Sequence, residues 1–455
     1  MKLGFAFATL LLVILIAGSV TASRSAQAAP SSVYTVNSPA DVPDATPGNN
    51  ICDTGSGFCT LRAAIQEANA HAGADTINLA GIPYLLSRSG SDNTALNGDL
   101  DITDTVTING VGMNSTIIDG NGIGDRIFEI TGTVVISGVT IQNGYATSGF
   151  GGGIATYGKL TLINSAILSN TTSGLNAWGG GIYNSGPLTL TNSIVRGNAT
   201  GSGNPYAGGI FNQGTLLILN STVSSNSTPG AGGGLYTVAY TTTIVNSTIN
   251  GNIAASGGGI YKAGVPLIMI NSTVSGNRSY ASGGGLYASS GTTNLFNVTI
   301  AFNQANYDDT NTDYGGGVYN AGGSTLNFAN SIIALNENVL PTTPWPTLIY
   351  DDCAGTLTSQ GYNIVANKPG NCTINGSYIQ PYPQIGPLQN NGGRTQTHAL
   401  LSTSPARDAG HPGGCTDNVG AILTTDQRGF HRPFGRCDIG AFEYRVKTFL
   451  PLVKK

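Results

Sequence analysis

The sequence has 455 residues, enough for one extended domain or for two or three compact ones. Charged residues make up only 9% of it, against roughly 25% in an average soluble protein, and 66 residues are glycine. The formal net charge is -4 and there is no block of like charges, so neither nucleic acid nor anionic lipid is an expected partner.

Residues 1–28 have the features of a signal peptide. Lys2 precedes an apolar run from Leu3 to Val20, and Ala26-Gln27-Ala28 has the small-x-small form of a cleavage site. The alternative is a retained membrane anchor, because the run is just long enough to span a bilayer. We expect export, no membrane span in the mature chain, and a secreted or cell-surface location.

Residues 29–74 are predicted to form an N-terminal cap. Within CTLRAAIQEANAHAG (59–73), apolar residues recur at helical spacing, Thr60 is a suitable N-cap and Gly73 lies where a helix would end. The pattern predicts a short amphipathic helix over 60–72 that covers the open end of the repeats.

Residues 75–336 are predicted to be a repeat region, because a glycine-rich phrase returns at offsets of 28, 28, 25, 25, 26 and 32 residues. In each unit a glycine pair precedes one apolar residue: Ile154, Ile182, Ile210, Leu235, Ile260, Leu286 and Val318. Each unit also contains two asparagines six residues apart: Asn164 and Asn170, Asn192 and Asn198, Asn220 and Asn226, Asn246 and Asn252, Asn271 and Asn277, Asn297 and Asn303, Asn330 and Asn336.

These units predict an all-β fold, a parallel β-helix with a capping helix at one end and a loop-rich, disulfide-bearing cap at the other. The segments between the glycines alternate and are rich in Thr, Val and Ile, which disfavours helical repeats. With coils stacked roughly 4.8 Å apart, every repeated residue becomes a column. We expect apolar columns inside, glycines at corners, and asparagines at left-handed corners or in hydrogen-bonded ladders.

An aromatic column follows the inward apolar residues. Since neighbouring strand residues point to opposite faces, these side chains should face outward, either as a binding surface for sugars, peptides or another surface or as stacking between coils. The column contains Tyr183, Phe211, Tyr236, Tyr261, Tyr287 and Tyr319.

Charged side chains that could perform catalysis are scarce in the repeats. Between Gly151 and Asn336 the acidic residues are Asp308, Asp309 and Asp313, in an insertion that could bind calcium, form a catalytic cluster, or be a solvated loop. We expect the acidic residues farther upstream to cap turns: Asp99, Asp101, Asp104, Asp119 and Asp125. No cofactor-binding motif is present, and we expect no cofactor.

Residues 337–444 break the period and are predicted to form the C-terminal cap. The six cysteines favour nearest-neighbour disulfides, Cys52 with Cys59, Cys353 with Cys372 and Cys415 with Cys437, in an oxidising compartment. An alternative for this cap is a zinc site of His411, Cys415, His431 and Cys437. Asp426, Arg428, Arg432 and Asp438 suggest an internal salt-bridge network.

Three motifs resemble those of known exported proteins. CTLRAAIQEAN resembles the CSLREA motif, with Ala63 in place of its glutamate, and the GG-[ILV] and [IV]xxN phrases resemble the GGAI and FxxN repeats of polymorphic outer-membrane proteins. NNGGRTQTHALLSTSPARDAG, DQRGFHRP and CDIGAFEY resemble the choice-of-anchor Q domain. The resemblance implies a right-handed, pectin-lyase-like β-helix at or beyond the cell surface, and implies no reaction.

The tail, 445–455, contains no sortase site, and is either a short sorting tag or a frayed terminal strand. Together these features predict an exported, non-catalytic β-helix with a structural, adhesive or glycan-contacting role. Its partner would be a polysaccharide or another cell-surface component. The alternative is a polysaccharide lyase or hydrolase that uses the Asp308 to Asp313 loop.

Overall fold

The computed structural model describes residues 31–147, 149–308, 314–340, 347–433 and 435–445. The predicted signal peptide and nearly all of the tail lie outside these ranges. The chain forms a parallel β-helix in which each coil contributes one strand to each of three faces, and a separate cap follows its last coil. This confirms the predicted fold class. Among the described residues, no helix is long and apolar enough to cross a membrane.

The strands of the three faces run in parallel register along the whole rod. The first face comprises Leu100–Ile102, Phe128–Ile130, Ile154–Thr156, Ile182–Asn184, Ile210–Asn212, Leu235–Val238, Ile260–Ala263, Leu286–Ala288, Val318–Asn320 and the start of Cys353–Ser359. The second comprises Val33–Thr35, Ala74–Asn78, Thr105–Asn109, Thr133–Ser137, Lys159–Ile163, Leu188–Thr191, Leu216–Leu219, Thr242–Val245, Leu267–Ile270, Gly291–Phe296, Ser324–Ala329, the end of Cys353–Ser359 and Cys372–Asn375. The third comprises Pro83–Leu85, Ile117–Asp119, Thr140–Gln142, Ala166–Leu168, Ile194–Arg196, Thr222–Ser224, Thr248–Asn250, Thr273–Ser275, Thr299–Ala301, Ile332–Ala334 and Ile364–Val365.

Shorter strands complete the fold. At the corner before the glycine runs lie Tyr145–Ala146, Thr171–Thr172, Ala199–Thr200, Ile253–Ala254, Arg278–Ser279, Gln304–Ala305, Glu337–Leu340 and Thr347–Tyr350. The cap contains one antiparallel pair, Ile385–Gln389 with Thr397–Leu400.

The predicted register of the repeats is confirmed residue by residue. Ile154 pairs with Ile182, Ile182 with Ile210, and the pairing continues through Leu235 to Val318 in the same column. All seven side chains of this column are fully buried. The interior is therefore a stack of Ile, Leu and Val layers, and the apolar area that it removes from water is the main stabilising contribution.

The predicted helix is present at Leu61–Ala70, and Thr60 is its N-cap because its side chain accepts a hydrogen bond from the Ala63 backbone. The helix occupies the first-face position of the first coil and plugs the open end of the apolar interior. Polar residues of the helix are buried too. Arg62 is 1% exposed and forms an ion pair with Asp41. Glu67 is fully buried and accepts hydrogen bonds from the backbone of Gly48 and Asn50.

The first asparagine of each unit turns a corner. All seven have positive φ angles, between 46° at Asn271 and 56° at Asn297, a region that asparagine tolerates better than most residues. At the other corner the glycines allow close approach of backbones. A Cβ on Gly180 would lie 2.2 Å from the carbonyl oxygen of Ala199, so a larger residue would displace the neighbouring strand.

The second asparagine of each unit forms a buried ladder, which we call the asparagine ladder: Asn170, Asn198, Asn226, Asn252, Asn277, Asn303 and Asn336. The Oδ1 atom of Asn252 accepts from the backbone N–H of Asn226 at 3.0 Å and from its Nδ2 at 3.0 Å. The Nδ2 atom of Asn252 donates to the carbonyl oxygen of Val223 and to Oδ1 of Asn277. Each inner side chain thus satisfies its full capacity of four hydrogen bonds.

The β-helix continues beyond residue 336, where the sequence analysis placed its end. Cys353 pairs in register with Val318, and Cys372–Asn375 adds a further second-face strand. The irregular spacing hides this coil from a period-based prediction. The disulfide between Cys353 and Cys372 therefore lies inside the last coil and not in a loop outside the repeats.

The C-terminal cap folds back along the third face. Thr395, Gln427 and His398 hydrogen bond to Asn246, Thr273 and Ser275 respectively. An apolar cluster completes the contact between cap and rod: Ala301, Ile332, Ala334, Leu335, Ile364, Ile385, Leu400, Ala406, Ile439 and Phe442.

The three predicted disulfides are present, at S–S distances of 2.00 to 2.03 Å. The bond between Cys415 and Cys437 excludes the zinc alternative, because both thiolates are consumed. The predicted salt-bridge network is present in part: the Asp438 carboxylate accepts from the backbone N–H groups of Asp408 and Tyr444 and pairs with no arginine among the described residues. Arg428 pairs with Asp426 at 2.6 Å, and Arg432 pairs with Glu443 at 2.7 Å.

The two asparagine columns should respond differently to substitution. Asn252→Gly removes four buried hydrogen bonds and leaves donors of Asn226 unpaired, so it should lower the free energy of unfolding by about 3 to 5 kcal/mol. Asn246→Gly keeps the left-handed corner and should cost less than about 1 kcal/mol. Urea unfolding followed by far-ultraviolet circular dichroism measures both. Equal losses would contradict the separate roles assigned to the columns.

Candidate functional site

The predicted aromatic column lies on the outer side of the first face, with its rings stacked along the rod. Centroid distances between successive rings are 5.7 Å from Tyr183 to Phe211, 5.2 Å from Phe211 to Tyr236, and 4.9 Å from Tyr236 to Tyr261. From Tyr261 the stack continues at 4.8 Å and then 4.7 Å. Planes in the last three pairs differ by 6° to 25°, so each ring covers the face of the next.

Two members of the column are not available to a ligand. Tyr183 is 6% exposed and Phe211 is 2% exposed, so the prediction of a binding surface that includes all six rings is wrong for these two residues. A second row of aromatic residues covers them: the ring of Phe150 lies 4.5 Å from that of Tyr183, and the ring of Trp178 lies 4.8 Å from that of Phe211. The alternation of side chains along a strand predicted that these two residues point outward, but it could not predict that other aromatic rings cover them.

The sequence contains a signal for this cover. Phe150, Trp178 and Tyr206 pair in register, each just before a glycine run, and the next two positions of that column are Ala231 and Ser256. Small residues there leave the following tyrosines partly open. Four half-buried rings form this open part, which we call the tyrosine strip: Tyr236, Tyr261, Tyr287 and Tyr319.

Within the tyrosine strip, solvent reaches the edges and hydroxyl ends of the rings, because neighbouring rings cover their faces. A sugar ring cannot stack on a covered face, but a row of phenolic hydroxyls can donate and accept hydrogen bonds. Burial raises the pKa of Tyr236 to about 12, so this hydroxyl remains protonated at physiological pH. The strip is a neutral, hydrogen-bonding surface along one side of a rigid rod.

The predicted acidic loop lies only partly within the described residues. Asp308 is exposed, and Asp309 and Asp313 lie outside the described residues. Among the residues that the structure does describe, no group of three or more His, Cys, Asp or Glu side chains is placed to hold a metal ion.

A carboxylate cluster that the sequence analysis assigned to turns lies beside the aromatic column. Asp101 and Glu129 belong to the same outward column as Tyr183. In this column Asp101 pairs with Glu129, Glu129 pairs with Ala155, and Ala155 pairs with Tyr183. Arg126 lies among them, paired with Glu129 and 3.7 Å from Asp99. Extending the repeat register upstream of residue 151 would have revealed this alignment.

Electrostatics within this cluster favour protonated carboxyls. Burial raises the pKa of Asp99 to about 8, with further contributions from the charges of Asp125 and Asp101. Burial also raises the pKa of Asp101 to about 6, opposed by a hydrogen bond from the Ala95 backbone. The charge of Arg126, 3.7 Å from the Asp99 carboxyl, acts in the opposite direction and lowers this pKa.

Comparison with solved structures finds a similar fold in the crystal structure of pectate lyase Pel9A. The sequence identity is 14%, the TM-score is 0.49, and the match covers 91% of this chain and 96% of that chain. No protein-family model and no curated protein matches the sequence. The motif resemblances of the two caps and of the repeats therefore stay predictions.

Stability should decrease as pH rises from about 5 to 8. Burial raises the pKa of several carboxyls: Asp99 to about 8, Asp352 and Glu443 to about 7, and Asp101 and Asp351 to about 6. In this range the folded chain binds more protons than the unfolded chain, whose carboxyls titrate near 4, and deprotonation thus favours unfolding. His398, whose pKa burial lowers to about 4, has the opposite effect below pH 6.5 but is one group against five.

Thermal unfolding between pH 5 and 8 at constant ionic strength measures this dependence. We expect a higher Tm at pH 5 than at pH 8, and a smaller difference in the Asp352→Asn variant. A Tm that rises with pH over this range would contradict the burial of these carboxyls.

Proposed function

We propose that the chain is an exported, surface-displayed β-helix that is not catalytic and that contacts a glycan or another surface component through the tyrosine strip. The observation that carries this proposal is the strip itself. Four stacked tyrosines repeat at 4.7 to 4.9 Å along a rod that disulfides, a capping helix and a folded cap hold rigid. A rigid row of donors and acceptors loses little conformational entropy when it binds an extended ligand.

Export is supported by the six cysteines, all of which are paired in disulfides. Such bonds persist in oxidising compartments outside the cytosol. The predicted signal peptide at 1–28 and the resemblance of the C-terminal cap to a choice-of-anchor domain favour the same location. Attachment to a surface through the cap or the tail is part of the proposal.

The hydroxyls of the strip should carry the contact, because the ring faces are covered. Replacing Tyr236, Tyr261 and Tyr287 by Phe keeps the stack and removes three hydroxyls. We expect this variant to lose most of its retention on glycan columns or on cell surfaces, with a Tm close to that of the original chain. A glycan array read by fluorescence, followed by affinity electrophoresis on the best ligand, measures the loss.

The matched control is Tyr382→Phe, since Tyr382 is 55% exposed and lies in the C-terminal cap away from the strip. It removes one accessible hydroxyl without touching the column and should leave retention unchanged. Undiminished retention of the triple variant would remove the strip as a binding surface.

A second candidate is a carbohydrate-active enzyme, and the carboxyl cluster is the observation that favours it. Glycosidic cleavage by general acid catalysis uses one carboxyl that stays protonated and a second that is ionised, and burial raises the pKa of Asp99 to about 8 against about 6 for Asp101. Asp99 is only 3% exposed, however, so a substrate would reach it only after a local rearrangement. This burial makes the structural role the better supported one.

Incubation with a panel of polysaccharides, with and without calcium, decides between the two candidates. We expect neither new reducing ends nor unsaturated products. Products that disappear in the Asp99→Asn variant would contradict the proposal and establish the enzyme. Products that survive that change but disappear when Asp308, Asp309 and Asp313 are replaced by Ala would assign catalysis to the acidic loop instead.

A further inference from the structure

A groove runs along the third face on the side of the rod that the C-terminal cap leaves open. It consists of two adjoining depressions of about 230 Å³ each, which share Met113 and Ile194. The first is lined also by Leu168 and Arg196, and the second by Arg394. We call these five residues and the strand surface between them the third-face groove.

The floor of the groove contains apolar side chains among polar ones such as Thr140 and Gln142. Ile117, Ala166 and Ile194 occupy one outward column of the third face, and Leu168 occupies the other. Three of them, Ile117, Leu168 and Ile194, are half-buried and face solvent in the part of the chain that the structure describes. The loop that contains Met113 forms one wall, fixed by a hydrogen bond of 2.6 Å from Thr140 to the Met113 carbonyl oxygen.

The same columns are already covered by polypeptide at the other end of the rod. Ile332 continues the column of Ala166 and Ile194, and Ala334 continues that of Leu168. Both are buried beneath the C-terminal cap, with 1% and 0% of their surface exposed. At this end of the rod, outward apolar side chains of the third face are contact sites for polypeptide. The groove presents apolar side chains in the same two columns, and no described residue covers them.

Two exposed arginines beside the groove indicate that a bound molecule would be negatively charged. Arg196 and Arg394 are exposed, and within the described residues neither guanidinium forms an ion pair or hydrogen bond. The nearest acidic residue of the face, Asp119, is engaged by the side-chain amides of Gln142 and Asn143. Arginine and methionine are enriched at protein interfaces, and a free guanidinium recognises a carboxylate in a planar, two-bonded geometry.

From these observations we propose that the third-face groove binds an extended, acidic polypeptide segment of a partner protein, with apolar side chains on its floor and carboxylates on Arg196 and Arg394. The groove spans the rungs from Ile117 to Thr222, about 19 Å at strand spacing, which fits about six extended residues. The tail of this chain is a poorer occupant, because Lys447, Lys454 and Lys455 repeat the charge of the groove. This site is independent of the tyrosine strip.

The test uses the purified full chain and three fluorescein-labelled ten-residue peptides, one alternating Leu and Glu, one alternating Leu and Lys, and one alternating Ser and Glu. Fluorescence anisotropy should detect binding of the Leu–Glu peptide alone. The double variant Arg196→Gln, Arg394→Gln should weaken it about fivefold, the size expected for two exposed ion pairs. Leu168→Ser should weaken it as well, which separates an apolar floor from simple charge attraction.

Lys159→Gln is the matched control, since it removes one exposed positive charge from the second face and should leave the affinity unchanged. The Tyr→Phe variant of the strip should also bind the peptide normally, so failure of this proposal and failure of the proposed function are distinguishable.

The proposal is overturned if the Leu–Glu peptide does not bind, if the Leu–Lys or Ser–Glu peptide binds equally well, or if the double variant binds as before. Arginine-dependent binding of polygalacturonate without peptide binding would assign the groove to a glycan. Arginine-dependent dimers in sedimentation would assign it to a second copy of this chain.

Discussion

Hydrogen bonds between identical asparagines hold neighbouring coils in register, and the rest of the rod depends on them. In the asparagine ladder Oδ1 of Asn198 accepts from the backbone and side chain of Asn170, while Nδ2 of Asn198 donates to Asn226 in the next coil and to the carbonyl oxygen of Ile167 in the previous one. These amides are buried, so a break would leave donors unpaired away from water. A coil that slipped by one residue would break them and would also turn its apolar column outward.

The same stacking explains why charge is scarce. A charged side chain repeated at strand spacing would face its own kind in every coil, whereas a neutral amide or hydroxyl can pass a hydrogen bond along the column. The ladder ends where the repetition ends, at Asp352, which accepts from the backbone and side chain of Asn336. Burial raises the pKa of Asp352 to about 7. Lys262 is a charged residue inside the rod: it is fully buried, donates to the Ser290 carbonyl oxygen, and has its pKa lowered by burial to about 8.

Sequence periodicity predicted most of the fold, because every column is a residue repeated at a fixed place. The register of Ile182 and the three disulfides were predicted from spacing, whereas spacing did not show which asparagine column turns the left-handed corner and which forms the ladder. The last coil around Cys353 was missed, since its strands are separated by irregular connections that carry no glycine run. The cover over Tyr183 and Phe211 was missed for a different reason: alternation gives the direction of a side chain but says nothing of what another corner of the coil places above it.

The functional surfaces follow from the same repetition. The column before the glycine run changes from Trp178 and Tyr206 to small residues, and from that point the tyrosine strip is accessible to solvent. On the third face, the side chains around Leu168 are accessible because the C-terminal cap does not extend over them. Native-state hydrogen exchange followed by NMR tests the underlying claim most directly. We predict that the backbone amides of Asn198, Asn226 and Asn252 are among the slowest to exchange in the chain. Exchange of these amides as fast as that of the C-terminal cap would contradict the account.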